Sequence, residues 1–131
     1  MNGPSAGGGL HVELSRHRVR AGESTEVDRW MQMLRDRREE CIATLSRDGL
    51  AIEVIFRSRE QDSDVLYWFE IGSRPGDLSA VADELLTPID RDALEYGARA
   101  KEPGHTSPDV ELVLMPEPVE RAIREWLDRA G

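Results

Sequence analysis

A chain of 131 residues, 39% apolar and 33% charged, has the size of one domain and too much apolar character for a disordered polymer. Seventeen basic residues against 26 acidic ones leave a net charge of -9, which argues against a nucleic-acid backbone or an anionic membrane surface as the main partner. A single cysteine excludes an internal disulfide and a cysteine-based zinc site, and no apolar run nears the roughly 20 residues of a membrane helix.

Residues 1–9, MNGPSAGGG, hold four glycines and read as a flexible arm ahead of one domain over 10–131. They lack the basic and apolar regions of a signal peptide, so a cytoplasmic setting is expected. From Leu10, apolar and polar residues alternate with period two, the mark of a half-buried strand. Thr25-Glu26-Val27-Asp28 fits a capping box at the start of one long amphipathic helix. Its apolar stripe is Val27, Trp30, Met31, Leu34, Cys41 and Leu45, and it stops at Asp48-Gly49. LAIEVIFR at 50–57 and VLYWFEI at 65–71 read as two arms of a hairpin across a polar turn at 58–64. Two short helices over 79–86 and 90–100, separated by Pro88, come next. A loop follows over 101–108, then a fourth strand, VELVLM at 110–115. Pro116 and Pro118 open a last helix carrying Val119, Ala122, Ile123, Trp126 and Leu127.

The order β-α-β-β-α-β plus a terminal helix predicts an α+β, ferredoxin-like fold. Its four-stranded antiparallel sheet would have helices on one face, with strands one and three central. Placing the more apolar register under the helices assigns Leu10, Val12, Leu14, Leu50, Ile52, Val54, Phe56, Val65, Tyr67, Phe69, Ile71, Val110, Leu112 and Leu114 to the core. The opposite register mixes Ile55, Leu66, Trp68, Val113 and Met115 with His11, Glu13, Glu53, Glu70 and Glu111. A face so mixed predicts a homodimer whose two sheets enclose a cavity with partly desolvated carboxylates. The plainer alternative leaves those glutamates in water beside a looser contact.

The run ELSRHRVRAGESTEVDRWM, the TL pair, the AIEVIFR and LYWF strands, the ID pair and the late VELVLMP resemble a bacterial family of uncharacterised proteins, DUF6176, over residues 12–123. The likeness is best at Glu13, Leu14, Ser15, Arg16, Trp30, Thr44, Leu45, Glu53, Phe56, Tyr67, Trp68 and Asp90. It implies membership of the dimeric α+β barrel group, which includes antibiotic-biosynthesis monooxygenases, aromatic polyketide cyclases and haem-degrading enzymes. The family pattern often has a histidine shortly after the ID pair. Here Ala93 stands there, so any role of that histidine is absent or relocated.

Glu13 and Glu53 are the expected catalytic pair, because a glutamate in an apolar enclosure can act as acid or base near neutral pH. They can equally serve as ion-pair partners for Arg16, Arg18 or Arg57. His11, Arg57, Trp68, Glu70 and Glu111 are the expected ligand contacts. Trp68 can stack on a planar ligand or anchor the dimer. His11 shares a face with Glu13, and Glu53 or Glu111 can complete a divalent site. With no HxH, HExxH or cysteine cluster, no metal is assigned. Trp30 and Trp126 read as core, and Cys41 as a structural thiol. Tyr96, Arg99 and His105 lie in the irregular stretch 72–108, which can cover a pocket mouth or merely connect. The glycine run is no phosphate loop and the serines show no nucleophile elbow. These residues predict a cofactor-independent small-molecule protein doing cyclisation or isomerisation in secondary metabolism, with an arginine stabilising negative charge. A non-catalytic metabolite-binding or protein-interaction dimer is one alternative, and a metal- or haem-dependent oxygenase is another.

Overall fold

The alternating stretch after Leu10 forms strand β1 (His11–Arg18) in the computed structural model of the chain, which describes residues 9–61 and 63–130. The β-branched stretches form β2 (Leu50–Glu60) and β3 (Ser63–Gly72), longer than the sequence suggests because the polar residues beside the turn keep pairing, Arg59 with Asp64 and Glu60 with Ser63. Helices α1 (Ser24–Asp36) and α2 (Arg38–Asp48) lie between β1 and β2, α3 (Pro88–Ala100) follows β3, and α4 (Glu117–Ala130) ends the described chain. The expected flexible arm falls, apart from Gly9, outside the described residues.

The sheet is antiparallel with order β1-β3-β2. It has three strands, not the four of a ferredoxin-like fold, and β3 is central while β1 is an edge. Residues 101–106 do meet the free edge of β1, at two isolated bridges, Val19 with Lys101 and Arg16 with Thr106. Arg16 and Thr106 exchange both backbone hydrogen bonds, at 2.7 and 3.1 Å. The next such rung would join Leu14 to residue 108, and Pro108 has no N–H to donate. The chain therefore leaves the edge. VELVLM runs on without a strand partner among the described residues, with Leu112 72% and Leu114 81% exposed.

The dimeric barrel expectation also fails, because the mixed face of the sheet is covered from within the chain. Cross-strand pairing sets His11, Glu13, Ser15 and His17, then Leu66, Trp68 and Glu70, then Glu53, Ile55 and Arg57, on one side, the grouping the alternation predicts. Val27, Trp30 and Met31 of α1 and Ala100 and Tyr96 of α3 pack on that side against Leu66, Ile55 and Trp68. On the more apolar register, Ile123, Trp126 and Leu127 of α4 meet Val12, Ile52, Phe69 and Ile71 at one end, and Val65 is buried at the other. Val54 and Phe56 on the same register stay exposed. Leu50 leaves that register altogether, because a bulge at Ala51 pairs Leu50 with Gly72 and Ile52 with Ile71.

The single long helix expected over 25–48 is two. Arg37 leaves the helical basin (φ -113, ψ 36), and its guanidinium grips Glu40 at 2.8 and 2.9 Å and Asp92 of α3 at 2.5 Å. The Thr25 capping box is absent. Helix α1 begins at Ser24, whose hydroxyl donates to Asp64 (3.0 Å). A capping box does form at α3, between Thr87 and Asp90. Gly49, at φ 71, stops α2 as the sequence predicts. The expected helix over 79–86 is two 3-10 turns, Leu78–Ala80 and Asp83–Leu85.

Candidate functional site

Register alone puts three glutamates in one row across the sheet, Glu13 opposite Glu70 and Glu70 opposite Glu53. Directly opposed like charges repel, and each such pair weakens a sheet by a few tenths to about 1 kcal/mol. Among the described residues, no arginine or lysine forms an ion pair with any of the three. The nitrogen partner the row does have is an imidazole. His11, two residues before Glu13 and so on the same face, places Nε2 at 3.2 Å from Glu13 and 3.1 Å from Glu70. Glu70 is almost fully buried, and its Oε1 also accepts the Gly76 backbone N–H at 3.1 Å.

The loop that bridges the edge of β1 completes the cluster. Ser107 donates its hydroxyl to Glu13 at 2.6 Å, and His105 Nε2 lies 3.9 Å from the same carboxylate. The His105 ring stands 5.0 Å from that of His17, further along the same face of β1. His17 is buried. Its Nε2 shares a 2.8 Å hydrogen bond with Ser15, its ring meets Trp68 edge-on at 5.5 Å, and its Nδ1 has no partner. Desolvation, helped by Lys101 and His105, lowers its pKa to about 4, so His17 is neutral at pH 7. Burial likewise lowers the Lys101 ammonium below its ordinary value.

Glu53 closes the far side of the row. Trp68 donates its indole N–H to Glu53 at 2.9 Å. Its carboxyl reaches solvent, yet the crowding protein lifts its pKa above the ordinary glutamate value, helped by Glu70 and Asp48 and opposed by the Trp68 bond. The row therefore offers, at one end, a carboxyl that releases its proton less readily than an ordinary glutamate and, at the other, an imidazole between two carboxylates.

The fold thus gathers His11, Glu13, Glu53, Trp68 and Glu70 from the expected set. It separates two others. Arg57 shares the face but sits at its opposite end, bonded to Asp64 (2.6 and 2.9 Å) and Asp28 (2.5 Å). Glu111 lies exposed in the unpaired 110–115 stretch. His17, Ser107 and Gly76 were not singled out by sequence reasoning. The period-two series His11, Glu13, Ser15, His17 is the signal that finds the first of them. Two shallow depressions lie elsewhere. One of about 160 Å³ is beside Leu10 and Arg124, and one of about 210 Å³ is between α2 and Leu85.

Comparison with known families agrees with the resemblance seen in the sequence. The model of the family of unknown function DUF6176 matches residues 10–121. The chain belongs to the DUF6176 family. No curated protein matches it. Most of the row and its surroundings, from His11 through Glu53, Trp68 and Glu70 to His105, lies inside the DUF6176 match. No helix among the described residues is long and apolar enough to cross a membrane.

Proposed function

We propose that the glutamate row is the site of a cytoplasmic small-molecule protein. The row draws in a polar ligand with a cationic or proton-bearing group, and Glu53 transfers the proton. His11, Glu13 and Glu70 anchor the ligand, and Trp68 orients Glu53 through its indole N–H. The observation that supports this reading is the row itself: three carboxylates aligned by register and left without arginine or lysine. The chemistry fits an isomerisation or cyclisation, in which one carboxyl takes a proton and returns it elsewhere.

The Trp68 indole N–H is a built-in reporter for the test. Its NMR resonance should follow the ionisation of Glu53, with a midpoint above that of an ordinary glutamate. It should also shift on addition of small amines, amino acids or hydroxy acids, and these ligand shifts should vanish in Glu13→Gln. A midpoint at the ordinary glutamate value, with no compound moving the indole signal, would remove the reading.

A second reading, a homodimer acting through protein contact, draws on a different observation. Leu112 and Leu114 in the unpaired stretch, Phe56 on β2 and Val119 on α4 are exposed large apolar residues, of the kind that gather at contact surfaces. Sedimentation should then show a dimer that Leu112→Arg with Leu114→Arg converts to monomer. A wild-type monomer at micromolar concentration excludes it.

A further inference from the structure

We propose that His11, Glu13 and Glu70 bind one divalent cation of the class that accepts mixed nitrogen and oxygen donors, such as Zn²⁺ or Mn²⁺. The inference rests on reading this face as a ligand site. It does not rest on proton transfer by Glu53, and it replaces the cofactor independence expected from sequence.

The three donor atoms lie within 4.8 Å of one another. The His11 Nε2 to oxygen separations, 3.1 and 3.2 Å, match the spacing of neighbouring ligands around an ion with bonds of about 2.0–2.2 Å. A hydrogen-bonded account of the same atoms is poorer. Nε2 carries at most one proton, so the two carboxylates at 3.1 and 3.2 Å can only share it. A cation at the centre serves all three atoms and neutralises the repulsion between Glu13 and Glu70.

The donors are also held in place. Glu13 and Glu70 are opposed on paired strands, and His11 is on the same strand as Glu13, so no loop must close to assemble them. The Gly76 N–H fixes Glu70 and the Ser107 hydroxyl fixes Glu13, the outer contacts that orient ligands in metal sites. His105 lies 3.9 Å from the other Glu13 oxygen, beside the three donors and outside their cluster. His17, further along the same face of β1 and packed against His105, lies outside the cluster of donors.

The test uses the full chain stripped with a chelator, then titrated with Mn²⁺ alone and separately with Zn²⁺ alone. One ion per chain should bind in calorimetry. Mn²⁺ should broaden the NMR signals of His11, Glu13 and Gly76 first, and Zn²⁺ should shift the His11 Nε2 resonance. His11→Ala and Glu13→Gln change partly exposed side chains, so both variants should fold, as circular dichroism checks. Each should weaken binding by at least about tenfold. Glu111→Gln, at an exposed site outside the cluster, should bind as wild type. Absence of heat and of broadening up to about millimolar ion overturns the proposal. So does His11→Ala and Glu13→Gln binding at wild-type strength. The Trp68 titration, run without metal, reports separately on Glu53, so failure here leaves that reading standing, and the converse also holds.

Discussion

The two ends of one sheet face treat carboxylates in opposite ways. At the hairpin end, the buried Asp64 receives Arg57 at 2.6 Å, Arg59 at 2.8 Å and the Ser24 hydroxyl. These contacts, Arg57 foremost, hold it below the ordinary aspartate range. Asp90 on α3 is treated the same way: burial pushes its carboxyl up, and Arg47 with Thr87 outweighs that and holds it down. At the other end, Glu13 and Glu70 meet His11, Glu13 also lies near His105, Glu53 accepts the Trp68 indole N–H, and among the described residues no guanidinium pairs with any of the three. With 17 basic residues in the chain, cations are not scarce. The difference separates two uses of a carboxylate. A clamped one ties elements together, whereas an unclamped row keeps its charge available to something that binds.

Removing a clamp should therefore cost the most. Arg47 joins α2 to the capping box of α3, and the Asp90 side chain is only 5% exposed. Arg47→Met leaves that charge buried with Thr87 as its remaining partner. The expected loss is about 3 kcal/mol, the low end for a broken buried pair because Arg47 itself is 22% exposed. Urea unfolding measures it. A loss under about 1 kcal/mol would mean that the clamp is decoration and that the contrast between the two ends has no energetic basis.

How much of this was legible beforehand depends on range. The strands β1, β2 and β3, the stop at Gly49 and the side shared by His11, Glu13, Glu53, Trp68 and Glu70 follow from local alternation, which needs no knowledge of partners. The side covered by α1 and α3 does not follow, because both registers are apolar enough and α4 covers part of the other. The break at Arg37 is hidden in DRREE, where no glycine or proline marks it, since its anchor is Asp92 on a distant helix. VELVLM alternates like any strand, and what denies it a ladder is the missing N–H of Pro108 just before it, which matters only because the edge it would pair with is β1, a neighbour the sequence does not name. His105 and Ser107 reach Glu13 only through that same edge bridge, so the candidate site was partly visible: the sequence marks His105 only as part of a loop that can cover a pocket, and Ser107 and His17 not at all.

Acid should charge the buried His17, on the same rung as Arg57, before it reaches the clamped carboxylates. His17 has a folded pKa of about 4 against 6.5 for an ordinary histidine. Between these values the unfolded chain binds the proton more readily, so stability rises with pH across the window and is lost as pH falls through it. The full loss is about 3 kcal/mol by pH 4. Asp64 and Asp90, with depressed pKa values, lose their contributions only below the ordinary aspartate value. Unfolding measured from pH 7 to 4 should thus show a decline that His17→Phe removes, with the lower acid limb retained. A decline unchanged in His17→Phe would place the acid-labile region elsewhere.

The smallest effect has the opposite sign and separates the two ends most directly. Glu53→Gln keeps an acceptor for the Trp68 indole N–H while deleting a charge that Glu70 and Asp48 disfavour. The raised pKa of Glu53 means that its ionisation weakens the folded state as pH rises through the folded value. Glu53→Gln should therefore be the more stable protein at pH 8, by about 0.5 kcal/mol, and lose that advantage toward pH 4, where wild-type Glu53 is itself protonated. A cation held by His11, Glu13 and Glu70 would offset the Glu70 charge, so saturating Mn²⁺ should shrink the advantage at pH 8. If Glu53→Gln instead destabilises at every pH, as loss of a clamp would, the row is architecture after all.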